Sequence, residues 1–183
     1  MDQARPLRAD AARNRARVLA AAEEVFAAEG LAVPLDEIAC RAGVGPGTVY
    51  RHFPTKDALF EAVVADRLER LTERARQLLD APDPGEAFLE LFGLLVGHAV
   101  GNRGLADALA FPEGMLQAVW ERKQALAREL SALLERAQQA GAIRPDIGGA
   151  DLQALVVGCL AMSRQPGEGA WLDIVRDGLR ARN

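Results

Sequence analysis

Residues 35–59 read LDEIACRAGVGPGTVYRHFPTKDAL, and this stretch decides how the N-terminal part of the chain folds. Ile38 and the alanines around it are spaced for one face of a short helix, which Gly43 ends. Val49 and Phe53 give a second helix its inward face. Two short helices joined by a tight turn that contains glycine form a helix-turn-helix, whose second helix can lie in the DNA major groove.

The composition is that of a globular helical protein. Of the 183 residues, 50% are hydrophobic and 26% are charged, which is enough to bury a core in one domain or in two small ones. Aromatic residues make up only 5%, and β-branched residues rarely alternate with polar ones, so almost no segment reads as a strand. We therefore expect an all-α fold.

Hydropathy and cysteine content exclude several classes of protein. No apolar run is long enough to cross a membrane, and no apolar core follows the basic N-terminus as it would in a signal peptide. Cys40 and Cys159 are too few and too far apart for a disulfide framework or a zinc site. We expect a cytoplasmic protein that binds no membrane, no metal and no cofactor.

Helical spacing continues after the helix-turn-helix until a break at residues 81–85, which read APDPG. We expect an N-terminal three-helix helix-turn-helix DNA-binding domain in residues 1–57 and a C-terminal helical ligand-binding and dimerisation domain in residues 58–183. A helix from about 56 to 80 is shared between them. The other expected helices span about 10–29, 34–42, 45–53, 86–100, 105–111, 113–140, 150–163 and 170–182.

Positive charge is concentrated at one end of an acidic chain. The net charge of −4 argues against a protein coated in nucleic acid, but the range from Ile38 to Lys56 contains basic side chains and no acid. A basic end on an acidic body is expected when one end touches DNA. Further arginines near the N-terminus are either a disordered arm that attracts DNA non-specifically or a defined phosphate or minor-groove contact: Arg5, Arg8, Arg13, Arg15 and Arg17.

The motif IACRAGVGPGTVYRHF at residues 38–53, followed by PTKDAL, resembles the tetracycline-repressor (TetR) family of bacterial regulators. The resemblance in order and spacing extends from Val18 to Val63. It implies that Gly47 is small enough to let the second helix approach DNA. It also implies contacts with the DNA backbone from Thr48, Tyr50, His52 and Lys56. Each of these four side chains can donate a hydrogen bond to a phosphate oxygen.

Arg51 is the best candidate for reading a base. It lies between two inward-facing residues and so points outward, where a guanidinium can bind guanine O6 and N7 together. The sequence departs from the family pattern at Val33, Pro34 and Gly45, because hydroxyl side chains are common at these places. We therefore expect few direct base contacts, with sequence-dependent DNA shape sharing the recognition. The alternative is that the charged face is only solvated.

An inward apolar set in the C-terminal domain is expected to line any effector pocket: Phe88, Phe92, Leu95, Phe111, Met115, Val119 and Trp120. His98 is the clearest internal polar group, and Arg103 or Asp107 is a candidate for the mouth. Such a wall suits a hydrophobic or aromatic molecule held by one or two hydrogen bonds. The alternative is that these residues fill an ordinary core.

The last two helices are expected to form a homodimer, because both carry more apolar surface than a terminal helix pair can bury alone. The residues expected in the interface are Leu152, Leu155, Val156, Leu160, Leu172, Val175 and Leu179. Small residues, Gly158 and Ala161, would let the helices approach closely. Such a dimer would bind a palindromic operator, because two recognition helices must sit about 34–36 Å apart to enter successive major grooves.

No catalytic arrangement is recognisable, because no nucleophile elbow, phosphate loop or metal-ligand spacing surrounds the few histidines and serines. We do not expect an enzyme. The sequence predicts a ligand-responsive DNA-binding regulator, and repression is the default that the resemblance implies. Two alternatives stay open: a small-molecule binding protein with a vestigial DNA head, and a DNA-binding dimer that responds to no ligand.

Overall fold

The computed structural model describes residues 4–101, 117–163 and 170–181, and side chains within residues 10–97, 117–163 and 170–181. The described part is helical and contains no strand beyond an isolated bridge between Ile143 and Arg180, so the expected all-α fold is confirmed. The elements are α1 (Ala4–Glu29), a 3-10 turn (Gly30–Ala32), α2 (Leu35–Ala42), α3 (Pro46–His52), α4 (Lys56–Leu79), α5 (Pro84–Gly101), α6 (Gln117–Gln139), α7 (Gly149–Met162) and α8 (Trp171–Leu179).

Several helix ends differ from the expected ones for local reasons. Helix α1 begins at Ala4, because the residues before Asp10 are mostly good helix formers and proline is tolerated in a first turn. Pro34 precedes α2 with extended backbone angles instead of starting it. Helix α5 begins at Pro84, since the Asp83 carboxylate accepts a 3.0 Å hydrogen bond from the Glu86 N–H and caps the helix.

Helix α8 is shorter than expected because its last residues leave the helix to pair with another segment. Arg144 N–H donates to the Leu179 carbonyl at 3.0 Å, and Ala181 N–H donates to the Ala142 carbonyl at the same distance. The expected helix at 105–111 and the expected start of the next helix at 113 lie outside the described residues.

By packing, the chain divides into two units, one ending at Asp66 and the other beginning at Arg67. The division falls inside α4, later than the expected domain boundary at residue 57. Helix α4 therefore contributes side chains to both units. Thr55 caps it, because its hydroxyl oxygen accepts a hydrogen bond from the Ala58 N–H at 3.1 Å.

The N-terminal unit is built around one apolar core. Its members come from all four helices of the unit and include Val18, Ala22, Val25, Phe26, Ile38, Ala39, Val49, Phe53, Leu59 and Val63. The inward faces expected on α2 and α3 are thus buried, and α1 contributes its own apolar stripe to the same core. Phe26 meets Phe60 edge-to-face with 5.9 Å between ring centroids, an arrangement favoured by aromatic quadrupoles.

The turn between α2 and α3 depends on Gly43. Its φ of 62° is the left-handed conformation in which glycine ends helices, and its N–H and that of Val44 close the helix onto Cys40 and Ala39 at 3.0 Å each. Arg17 of α1 donates a 2.9 Å hydrogen bond to the Gly43 carbonyl. A Cβ at residue 43 would lie 2.4 Å from the Arg17 guanidinium, so a larger residue displaces that contact.

The C-terminal unit packs α5 against α6 and α7. Phe88 and Phe92 of α5 are fully buried and stacked, with ring centroids 6.4 Å apart. Ion pairs at the surface join α4 to α5 through Arg74 and Glu90 at 2.5 Å, and α4 to α6 through Arg76 and Glu129 at 3.0 Å. The exposed pairs contribute little each, so apolar burial holds this unit together.

The expected set of interface residues needs correction. Leu152, Leu160 and Leu179 are buried within the single chain, because α7 and α8 turn these residues toward α5 and α6 or toward each other. The exposed large apolar residues of the two helices are instead Val157, Met162 and Ile174. Leu155, Val156, Leu172 and Val175 are half-buried and stay candidates for the interface, so only the three buried leucines are withdrawn from the expected set.

We predict that Gly43→Ala lowers the free energy of unfolding by about 2 kcal/mol. The alanine must adopt left-handed backbone angles, and its Cβ displaces the Arg17 side chain. Gly30→Ala is the matched control, since Gly30 also has a positive φ, of 76°, but its Cβ would meet nothing within 4 Å. Only the backbone strain of about 1 kcal/mol applies there. Urea unfolding of both variants measures the difference. Equal losses would show that the Arg17 contact contributes nothing.

Candidate nucleic-acid interface

Helix α3 presents one face to the core and the other to solvent. Val49 is buried on the inner face and Phe53 is buried just after the helix. Tyr50 and Arg51 are exposed, while Thr48 and His52 are half-buried. The outward position expected for Arg51 is therefore correct.

Two glycines at the start of α3 have no internal reason to be glycine. Gly45 has ordinary extended angles, with φ −68°, and Gly47 does not have a positive φ. A Cβ added at either position would meet nothing within 4 Å. Glycine within a helix costs about 0.5–1 kcal/mol of stability relative to alanine. Since nothing inside the chain requires glycine at residue 47, we interpret the missing side chain as room for a molecule outside the chain.

Lys56 is fixed at the end of the 3-10 turn. Its Nζ donates hydrogen bonds to the carbonyls of Leu31 at 2.8 Å and of Ala32 at 3.2 Å. An ammonium has three donors, so one N–H remains for a further acceptor. The lysine therefore holds the turn in place and can still donate to a phosphate.

Tyr50 has an internal partner that the sequence did not reveal. A hydrogen bond to the Asp36 carboxylate of α2, together with the negative charge of that carboxylate, raises the pKa of Tyr50 above its usual value of 10.0. The phenol has only one O–H, so it cannot donate to Asp36 and to a phosphate at once. Asp36 also lies in the first turn of α2, where a negative charge favours the helix.

The arginines of this unit fall into two groups. Arg41 is neutralised by Glu29 at 2.5 Å and Glu37 at 2.6 Å, and these contacts raise its pKa. Arg51 has no ion pair or hydrogen bond within the described part of the chain. Of the basic side chains between residues 38 and 56, Arg51 is therefore the strongest cation still available to a ligand.

All five N-terminal arginines lie on helix α1, so the expected alternative of a disordered arm is wrong for the described residues. Arg13 pairs with Asp10, and Arg17 binds the Gly43 carbonyl. The guanidinium carbon of Arg15 lies 5.7 Å from the ring centroid of Phe53, in cation–π range. The side chains of Arg5 and Arg8 lie outside the described residues.

The residues expected to bind an effector are only partly described. Phe88, Phe92, Leu95 and Val119 are buried. Trp120 is 44% exposed, contrary to the expectation that it faces inward, because α6 turns Val119 and not its neighbour toward the core. His98, Phe111 and Met115, as well as Arg103 and Asp107, lie outside the described side chains.

A metal site and a membrane-spanning helix each set requirements for the described residues. No three or more His, Cys, Asp or Glu side chains lie together there in a group that could hold a metal ion. None of the described helices is both long and apolar enough to cross a membrane.

We predict that Tyr50 deprotonates above its usual pKa in the folded protein, because Asp36 stabilises the protonated phenol. The bond stabilises the fold at neutral pH and is lost as the pH rises through the raised pKa. Tyr50 is the one tyrosine of the chain, so tyrosinate absorbance reports it alone. Asp36→Asn should lower the midpoint, whereas Glu37→Gln, which removes a neighbouring carboxylate, should not. An unchanged midpoint in Asp36→Asn would contradict the contact.

Comparisons with known proteins agree with this arrangement. Residues 18–63 match the family described as bacterial regulatory proteins, tetR family. Residues 83–181 match the C-terminal domain of SbtR-like transcriptional regulators. The chain is 31% identical over 157 residues to the HTH-type transcriptional regulator UidR of Escherichia coli. The match covers 82% of this chain and 80% of that protein.

Solved structures show the same fold over nearly the whole chain. A TetR transcription regulatory protein from Mycobacterium vanbaalenii is 48% identical, with a TM-score of 0.76, over 96% of this chain and 100% of the other. The regulator SCO0520 from Streptomyces coelicolor is 38% identical, with a TM-score of 0.75, over 92% and 99%. The chain therefore belongs to the TetR family of helix-turn-helix transcriptional regulators, which bind DNA and are not enzymes.

Proposed function

We propose that the protein is a homodimeric repressor that binds a palindromic operator and leaves it when a small hydrophobic or aromatic molecule binds the C-terminal unit. The observation that carries the DNA-binding part is the outer face of α3. There Arg51, which forms no ion pair with the described residues, lies beside Thr48, Tyr50 and the open space at Gly47. A nearby Lys56 keeps one donor free.

The contacts divide between backbone and base. Thr48, His52 and the remaining N–H of Lys56 are suited to phosphate oxygens, which position the protein without reading sequence. Arg51 is suited to a guanine edge, which it can bind with two parallel hydrogen bonds. Since Gly45 and Gly47 supply no side chain to a base, DNA shape supplies part of the specificity.

Tyr50 must exchange partners for the proposed phosphate contact to form. In the free protein the Asp36 carboxylate interacts with the phenol and raises its pKa, and that carboxylate would repel a phosphate. Binding therefore includes rotation of the phenol from Asp36 to the DNA. In this exchange the phenol leaves one charged acceptor for another. The exchange therefore has little effect on the affinity for DNA, although it changes the direction of the Tyr50 side chain.

The dimer is proposed to form through α7 and α8. Val157 and Met162 on α7 and Ile174 on α8 are exposed, although large apolar residues are normally covered. Ala161 lies beside them and is small enough for helices to approach closely. A two-fold interface would bury this face on both copies and pair the two DNA-binding units with a palindrome.

The effector is proposed to bind among the apolar residues of the C-terminal unit. Phe88, Phe92 and Leu95 supply buried apolar surface, and His98 stays a predicted hydrogen-bonding group. Helix α4 has residues in both units, so it is the element through which an effector would bias the DNA-binding state. Couplings of this kind are typically about 1–3 kcal/mol.

We predict that selection from a random duplex library returns inverted repeats of roughly 15–25 base pairs, because a two-fold protein needs a two-fold site. Arg51→Ala should then cost about 1–3 kcal/mol and relax the preference at one base pair per half-site. Lys56→Ala should weaken all sequences alike and reduce the salt slope by about one contact per subunit.

The outcomes separate the proposal from its alternatives. A library without enrichment at moderate salt would identify a vestigial DNA head. Enrichment that no apolar compound reverses would favour a ligand-independent DNA-binding dimer. Because Lys56 also holds the 3-10 turn, binding by Lys56→Ala should be measured well below its melting temperature. Identical base preferences in wild type and Arg51→Ala would show that Arg51 contacts only phosphate.

We predict opposite signs for stability and DNA binding in Gly47→Ala. The free protein should gain up to about 1 kcal/mol, because alanine favours the helix and its Cβ meets nothing. Operator affinity should fall, because the methyl group occupies the space proposed for the DNA backbone. Thermal unfolding and fluorescence anisotropy measure the two effects.

Gly97→Ala is the matched control for this experiment. Gly97 lies in α5, is exposed, and likewise has nothing within 4 Å of an added Cβ. It should gain similar stability while operator affinity stays the same. Unchanged operator affinity in Gly47→Ala as well would rule out close approach of DNA at this residue.

A further inference from the structure

The first half of α1 extends past the core of the N-terminal unit. Among the described side chains of α1 the first buried one is Val18, whereas residues 10–17 are exposed except for the half-buried Asn14. Residues 4–17 contain five arginines and a single acid, Asp10. A helical segment that packs against little core gains little stability from within the chain. Its excess of positive charge complements a polyanion.

Arg15 lies on the face of α1 that packs in the core. It precedes Val18, Leu19 and Ala22 by three, four and seven residues, and all three of these residues are buried. An apolar residue at this place would extend the core by one more turn. The sequence has a guanidinium instead, and its carbon lies 5.7 Å from the ring centroid of the buried Phe53. Arg15 therefore lies against the end of α3.

Packing on the ring leaves the hydrogen-bond donors of Arg15 available. A guanidinium over a ring makes no conventional hydrogen bond with it, so all five N–H donors remain for an acceptor. Arg15 is exposed and forms no ion pair or hydrogen bond within the described residues. The two other α1 arginines whose side chains are described have internal partners, because Arg13 pairs with Asp10 and Arg17 binds the Gly43 carbonyl.

A second donor lies at the same end of α3. The ring centroids of His52 and Phe53 are 6.1 Å apart, and His52 is half-buried. The Arg15 guanidinium and the His52 imidazole thus both adjoin the ring of Phe53. Phosphates recur at short intervals along a DNA strand, so two donors at one helix end suit phosphates of the same strand.

We propose that Arg15 binds a DNA phosphate, so that the DNA interface extends from the helix-turn-helix onto α1. The ring of Phe53 holds the guanidinium beside the end of α3, and little further ordering is needed when a phosphate binds. Backbone contacts carry no sequence information, so Arg15 contributes equally on an operator and on any other duplex. The inference rests on the proposed DNA-binding face of α3, and on neither the effector nor the palindrome.

Arg15→Met tests the contact, because methionine keeps apolar packing on Phe53 while it removes the charge and the donors. On a duplex of random sequence the affinity should fall about tenfold at low salt. The slope of log affinity against log salt concentration should fall by about 0.9 per bound chain, as expected for one lost phosphate contact. The melting temperature of the free protein should not fall, since methionine continues the apolar face of α1.

Arg13→Met is the matched control. It removes the same charge two residues away, on nearly the opposite side of the helix, from an arginine that already pairs with Asp10. Its affinity and its salt slope should stay close to those of the wild type. Fluorescence anisotropy of the labelled duplex over a series of salt concentrations measures both quantities for the full chain and its variants.

The outcomes separate a defined contact from the other roles of Arg15. Equal losses in Arg15→Met and Arg13→Met would show diffuse attraction by a basic helix and overturn the proposal. A lower melting temperature of Arg15→Met with an unchanged salt slope would identify a purely structural arginine and overturn it too. A wild-type protein that binds no duplex at low salt would refute the DNA-binding face of α3 itself, and the proposal with it.

Discussion

The left-handed turn at Gly43 is the constraint on which the DNA-binding unit depends. Two short helices cannot hold their relative direction by themselves, because each has too few residues to be stable alone. The left-handed backbone conformation of Gly43 sets the direction of the turn. Arg17 of α1 donates a hydrogen bond to the Gly43 carbonyl and so holds the turn against α1. The position of Arg51 in space follows from this turn and from the burial of Val49.

The same unit combines structural and binding roles in single side chains. Lys56 satisfies two carbonyls of the 3-10 turn and still has a donor directed at no internal acceptor that the structure describes. A residue that holds the fold also positions its own remaining donor, so its contact with a ligand needs little further ordering. Arg51 has no such support within the described part of the chain, and its long side chain remains free to adapt to a ligand.

The sequence predicted the fold best where periodicity and turn chemistry agree. Val18 and Ile38 are buried as their spacing requires, and Gly43 ends α2 as expected. It failed for α7, because that helix is apolar on every side and only packing decides that Leu152 is covered while Val157 is exposed. It also missed the contact of Tyr50 with the second residue of α2, since a hydrogen bond between two helices leaves no periodic signal.

The carboxylate of Asp36 has a consequence for how the protein finds its site among many others. It places a negative charge beside the side chains that we propose to face DNA, on a chain whose net charge is already −4. Such a face is held less strongly by an arbitrary duplex, where no specific contacts offset the repulsion. We expect residence on random DNA to be brief. Rapid release from random DNA would shorten the time that the regulator needs to reach the proposed operator.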